Sequence, residues 1–191
     1  APIPGLYDPG DDNGSRRSTQ HHRWVVYDID FDTGAIRWVR ELHSAAPTIA
    51  RHIKNSFASE TPVTDGERLY VYFGSIGLVA ALDLGGEAVW TRELGVFNGR
   101  QRFGTAASPA LHDGRLYVVN DNTTQSFLVA LDAATGRELW RAERDEVENW
   151  ATPFIWENDL RTEIVTAGRR RVRSYDLDGR LLWELAGMTP N

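Results

Sequence analysis

The side chains with the most chemical capacity in this chain are cationic and aromatic. Arg51, His52 and Lys54 share one short stretch, Phe97, Arg100, Arg102 and Phe103 a second, and Arg169, Arg170 and Arg171 a third, with Arg173 just beyond. Guanidinium and ammonium groups interleaved with rings suit an anionic partner or an acidic peptide segment, the more so on an acidic protein. The competing reading is solvated loop charge, with arginine stems lying over apolar strands. The acidic run "ERDEVE" (143–148) falls in the same set of loops and opposes the cations. Trp150 has the surface to stack on a planar ring, although structural packing is the better account of it.

Catalytic and metal-binding patterns are thin by comparison. His43, His52 and His112 are scattered, His21 and His22 precede an apolar run, and no His-x-Glu-x-x-His spacing occurs. Asp8, Asp11, Asp12 and Asn13 invite a calcium reading, but their spacing does not fit the alternating loop of a calcium-binding hand. There is no Gly-x-Ser-x-Gly elbow and no phosphate-binding glycine loop. The absence of cysteine removes disulfides, thiolate metal sites, covalent haem attachment and a thiol nucleophile together. A net charge of −6 disfavours a broad nucleic-acid footprint. No apolar run approaches the 18 or so residues of a membrane span. No leader is visible, and the opening "APIPGLYDPG" suits a processed mature end or a boundary chosen for expression.

The elements that must hold these loops are written as a repeat. "DFDTGAIRW" (Asp30 to Trp38), "DLGGEAVW" (Asp83 to Trp90), "DAATGRELW" (Asp132 to Trp140) and "DLDGRLLW" (Asp176 to Trp183) place the tryptophans 52, 50 and 43 residues apart. Ser/Thr-Pro recurs in phase, as Thr61-Pro62, Ser108-Pro109, Thr152-Pro153 and Thr189-Pro190. A repeat of this length is one supersecondary unit stacked on copies of itself, and it is the size of a propeller blade.

The third copy shows the unit most clearly. "SPALH" (108–112), "RLYVVN" (115–120), "FLVALD" (127–132) and "RELWRAE" (137–143) read as four short strands joined by turns. In each copy Asp opens a hairpin turn by accepting backbone N–H bonds. Gly34, Gly86, Gly136 and Gly179 close these turns at positive φ, and Thr135 belongs to one of the two longer ones. Trp38, Trp90, Trp140 and Trp183 then lie on the outermost strand, where a ring reaches the next blade. Proline opens the innermost strand, whose edge is free. The expected fold is an all-β propeller of four-stranded antiparallel blades. Residues 1–22 form an arm or loop, blade one is a half (23–42), and three blades follow near 58–94, 105–143 and 150–186. "TIARHIKNSFA" (48–58) has room for a helical turn. Three and a half blades leave open edges, so the chain is expected to be part of a larger propeller or to complete itself by association.

Ala130, Asp132, Thr135, Gly136 and Trp140 spell Ala-x-Asp-x-x-Thr-Gly-x-x-x-Trp, and on this motif the chain resembles the pyrroloquinoline-quinone-type (PQQ-like) repeat proteins from residue 24 onward. "RHIKNSFASETPVTDG" and "RDEVENWATP" look most like an exported bacterial branch, to which the lipoprotein scaffold of the outer-membrane β-barrel assembly machinery is related. The resemblance implies a propeller of seven or eight blades and a periplasmic or other extracytoplasmic setting. It also implies one of two functions. One is a non-catalytic platform for other protein subunits, without cofactor, within a larger complex or homo-oligomer. The other is a fragment of a quinoprotein dehydrogenase using PQQ and calcium. The missing cysteines and the thin set of acid–base residues favour the platform, with Arg51, His52, Lys54, Arg100, Arg102, Phe103, Trp150, Arg169 and Arg171 as its rim.

Overall fold

Alternating apolar residues, β-branched side chains and Asp/Gly turns leave little choice but short paired strands. The computed structural model describes residues 14–187, and all regular structure among them is β. A two-residue strand, β1 (Ser15–Arg16), precedes a long hairpin of β2 (His22–Ile29) and β3 (Ile36–Ala45). A second two-residue strand, β4 (Arg51–His52), pairs antiparallel with β1. The segment read as an arm therefore contributes a strand, and 48–58 carries strand and turn where a helical turn was expected.

Three four-stranded antiparallel sheets follow, each running in chain order. The first comprises β5 (Val63–Thr64), β6 (Arg68–Phe73), β7 (Leu78–Asp83) and β8 (Ala88–Glu93). The second comprises β9 (Ala110–His112), β10 (Arg115–Asn120), β11 (Ser126–Asp132) and β12 (Glu138–Arg144). The third comprises β13 (Phe154–Glu157), β14 (Thr162–Ala167), β15 (Arg171–Tyr175) and β16 (Leu181–Ala186). With the β2–β3 hairpin as a half, these sheets are the blades of a propeller. Thr189-Pro190 and the acidic stretch from Asp8 to Asn13 lie outside the described residues.

Period-two alternation divides each strand between two neighbours. Along β6, Tyr70 and Tyr72 face Leu116, Val118 and Phe127 of the following sheet, while Val71 and Phe73 pack with Trp24 and Val26 of the hairpin. Along β10, Leu116 and Val118 face backward, and Tyr117 and Val119 face forward to Ile164 and Tyr175. Both faces of the central sheets are buried, which explains their near-continuous apolar runs. By contrast, the first hairpin exposes Tyr27, Ile29 and Val39, and the last sheet exposes Phe154, Trp156, Leu181 and Leu185.

The turns and tryptophans meet in one repeated contact. The Trp38 indole N–H donates to the Leu84 carbonyl, Trp90 to Ala133 and Trp140 to Leu177, each at 2.9 Å. In each case the ring lies on the glycine of the next turn. A Cβ on Gly86, Gly136 or Gly179 would come within 2.7 Å or less of that ring. The turns themselves are held by their aspartates. Asp132 accepts the N–H and hydroxyl of Thr135, both at 2.9 Å, and Asp30 does the same for Thr33. The Arg37 guanidinium, with the Thr33 hydroxyl, holds the Asp30 carboxyl down at about 2.

Two of the four copies depart from this pattern. No atom lies within 4 Å of where a Gly34 Cβ would stand. Trp183 turns into its own sheet, donating to Glu163 Oε2 at 2.7 Å beside Ser174. The expectation that Trp183 spans to a next blade is thus replaced by an intrasheet bond: no following turn lies against it among the described residues, and Ser174 and Glu163 offer polar partners. Glycine is needed at positions 34 and 136 for φ alone, +71° at each, but only Gly136 carries a ring. Gly34→Ala is expected to cost about 1–2 kcal/mol for the left-handed backbone. Gly136→Ala should cost about 1–3 kcal/mol more, because Trp90 must move. Equal losses in urea titrations would show that the ring contact contributes nothing.

The innermost strands are linked by a device not foreseen from the prolines. The Thr61 N–H donates to the Ser108 hydroxyl at 2.8 Å, and the Ser108 N–H to the Thr152 hydroxyl at 3.0 Å. The hydroxyls ahead of Pro109 and Pro153 thus satisfy the preceding blade's backbone.

Candidate functional site

The loops at one end of the sheets form a second layer. Connector 46–59 and loop 97–106 are tied together by backbone: the His52 N–H donates to the Phe103 carbonyl at 3.0 Å, and the Asn55 amide to the same carbonyl at 2.8 Å. The strand β1 locks this layer from outside, the Ser15 hydroxyl donating to the Arg102 carbonyl at 2.9 Å and the Ile53 N–H to Gly14 at 3.0 Å. Arg102 takes φ +58°, a left-handed conformation unusual for an arginine.

Three rings gather on this layer. His52 meets Phe103 edge-on at 4.9 Å, and Phe103 stacks on Trp150 with centroids 6.0 Å apart and planes 26° from parallel. Trp150 is fixed by its indole N–H, which donates to the Gly104 carbonyl at 2.8 Å. With Lys54, Asn55 and Ala106 these rings line a shallow, open, predominantly apolar hollow of about 310 Å³. Lys54 is exposed beside it, and Arg51 lies over Phe57 while donating to the carbonyls of His52 and Asn55. Arg100 and Arg102 are exposed on the neighbouring turn.

The rest of the proposed rim separates from this cluster. Arg171 pairs with Asp145 at 2.7 Å, and Arg173 is buried between Asp145, Glu146 and Glu184. Glu146 also accepts the backbone N–H groups of Arg170 and Arg171 at 2.9 and 3.1 Å. Ion pairing therefore commits Arg171 to an internal cluster on the last sheet, while Arg169 is exposed on the same turn, apart from the residues that line the aromatic shelf. The run "ERDEVE" is likewise no solvated stripe: Arg144, Glu146 and Glu148 are all buried.

Arg144 was hidden inside that run. Its guanidinium grips both oxygens of Asp121, at 2.7 and 2.9 Å, and reaches into the next sheet to Thr166 at 2.7 Å and the Tyr175 hydroxyl at 3.0 Å. Nearby, Asn120 donates to the Tyr72 hydroxyl at 2.9 Å. Under the first loop Glu60 is buried. One of its oxygens accepts the Gly74 N–H at 3.2 Å, and the other has no hydrogen-bond partner.

Burial pushes the Glu60 carboxyl above its ordinary range, with the Thr105 hydroxyl and backbone N–H groups pulling the other way. The stability it contributes is full below the unfolded-state pKa near 4.3 and is lost as pH rises through the raised folded value. Glu60→Gln removes that loss. The variant's Tm should gain on the parent's as pH goes from about 4 to 8, each kcal/mol reading as about 2–4 °C in a chain this size. A Tm difference that stays flat with pH would refute the assignment.

The described residues offer no preformed seat for a quinone–calcium pair. One face of Trp150 is covered by Phe103, and both Asp121 oxygens are taken by Arg144. No group of three or more His, Asp or Glu among the described residues is arranged to hold a metal.

Strand-by-strand blades, turn glycines under rings and a loop layer at one end define a propeller of the PQQ-like repeat class. The family described as outer membrane protein assembly factor BamB matches residues 21–127 and 75–191, and the chain belongs to it. BamB from Moraxella catarrhalis superposes with a TM-score of 0.52 at 18% identity, over 94% of this chain and 46% of that one. A quinohemoprotein alcohol dehydrogenase from Comamonas testosteroni superposes with a TM-score of 0.58 at 15% identity, over 91% of this chain and 33% of that one. The chain thus spans less than half the length of either. No curated protein sequence matches it. No helix among the described residues is long and apolar enough to cross a membrane.

Proposed function

We propose that the chain is a non-catalytic protein-association module of the cell envelope, working through the loop layer as part of a larger complex. The observation that carries this reading is the shelf of His52, Phe103 and Trp150. Three rings are displayed on backbone-tied loops with Lys54 beside them, where a mobile loop would have buried or scattered them. Aromatic anchors on a rigid, pre-organised surface are what protein hot spots are made of. The family's description as an outer membrane assembly factor supports the extracytoplasmic setting.

Replacing Lys54 with benzoylphenylalanine in cells that export the protein tests this reading. Irradiation should give discrete cross-links to one partner, identified by the linked peptide, and Phe103→Ser should abolish them. A dehydrogenase would behave differently: PQQ with calcium would raise the Tm saturably and support dye reduction. Either that result or the absence of shelf-dependent cross-links overturns the proposal.

A further inference from the structure

The two loops that carry the shelf are depleted of one kind of charge. The chain as a whole has 27 Asp and Glu against 21 Lys and Arg, yet residues 42–59 and 94–112 contain no carboxylate side chain. Those same stretches hold Arg51, Lys54, Arg100 and Arg102, with His43, His52 and His112. Folding brings them side by side through the bonds from His52 and Asn55 to Phe103. Asp145 and Glu146 are occupied by Arg171 and Arg173 on the last sheet, and Glu60, which meets Gly74 and Thr105 beside these loops, is buried. The carboxylate of Glu148, two residues before Trp150 in sequence, is buried; one oxygen accepts the Gln101 N–H at 2.7 Å and the other has no hydrogen-bond partner. The apolar hollow therefore sits in a local positive field on a protein that is negative elsewhere.

We infer that the shelf takes an acidic segment of a partner protein, an extended stretch of Asp or Glu around one aromatic or large apolar anchor. This inference rests on the platform reading above and names the chemistry of its partner. The anchor enters the hollow lined by His52, Phe103 and Trp150, and the flanking carboxylates face Lys54 and the arginine fringe. The hollow's lining decides between anionic ligands. A phosphate backbone would leave an apolar floor covered by nothing, whereas a ring or aliphatic side chain fills it and excludes water around the ion pairs.

Calorimetric titration at low ionic strength tests the chemistry directly. The probes are acetylated, amidated peptides: Asp-Asp-Phe-Asp-Asp, the same with Ser for Phe, and the same with Lys for each Asp. Only the first should bind, weakening as salt is raised. Lys54→Glu, on an exposed side chain, should reduce its affinity about tenfold or more with an unchanged Tm. Phe103→Ser should do the same, and Phe103→Leu should restore part of the affinity. Equal binding of the Phe and Ser peptides, binding of the Lys peptide, or indifference to Lys54→Glu overturns the inference. So does an oligonucleotide or a phosphatidylglycerol vesicle that binds as tightly as the first peptide. If shelf-dependent cross-links from position 54 persist and the acidic peptide fails to bind the unsubstituted chain, the platform stands and this partner chemistry falls. If the cross-links are absent, the platform itself falls.

Discussion

Arg144→Met is expected to destabilise the fold by about 3–5 kcal/mol, the range for removing one partner of a buried ion pair. The side chains of Arg144 and Asp121 are 0% and 2% exposed, so water cannot replace the lost bonds. Burial already pushes the Asp121 carboxyl up, and Arg144 is its chief counterweight. Methionine fills much of the volume but leaves both Asp121 oxygens unpaired, along with the Tyr175 hydroxyl and one bond of Thr166. Because Thr166 and Tyr175 belong to the last sheet, the loss falls on the junction between two blades. Urea unfolding measures it. The pair itself contributes far less than this figure, and Arg144→Met combined with Asp121→Leu should recover most of the stability. A single variant within about 1 kcal/mol of the parent would mean that solvent reaches the pair.

This network marks the limit of what the chain discloses before folding. The blades were legible because their signals are local: strand alternation has period two, and the Asp-to-Gly turns are four or five residues long. The strands β10 and β11 fall within a residue of where the pattern puts them. The rim was legible only in part, since charge type and spacing do not say which way a side chain points. Arg51, His52, Lys54, Phe103 and Trp150 do come together on neighbouring loops. Arg171 has the same composition around it but meets Asp145, because a turn of the last sheet folds back over the acidic run. Arg144 stands among four carboxylates between residues 143 and 148 and reads as one more surface charge. Its inward direction is set by alternation at the end of β12, where its neighbour Glu143 is exposed. The hydroxyls of Ser108 and Thr152 were overlooked for a related reason: proline explained their position, and their partners lie 47 and 44 residues away.

The same reasoning gives Trp140→Ala an expected cost of about 3–5 kcal/mol. The ring lies on Gly179, its N–H meets the Leu177 carbonyl at 2.9 Å, and its centroid is 6.0 Å from that of Tyr117. Alanine removes all three contacts, and the turn at Gly179 cannot collapse into the gap without breaking the Asp176 bonds that shape it, to the N–H groups of Asp178 and Arg180 at 3.0 and 2.8 Å. Trp140→Phe separates the terms. It keeps a ring over the glycine but leaves the Leu177 carbonyl short of one donor, which should cost about 1–3 kcal/mol. Arg115 also donates to that carbonyl, at 2.6 Å, so the lower half of that range is expected. Trp183→Ala tests the contrast within the same chain. Its ring has no turn beneath it among the described residues, and its N–H bonds Glu163, which Ser174 and Arg161 also serve. It should therefore lose less than Trp140→Ala. If the two losses are equal in denaturant melts, stacking on the neighbouring turn does not hold the blades together, and the recurrence of Asp, Gly and Trp along this sequence needs another physical cause.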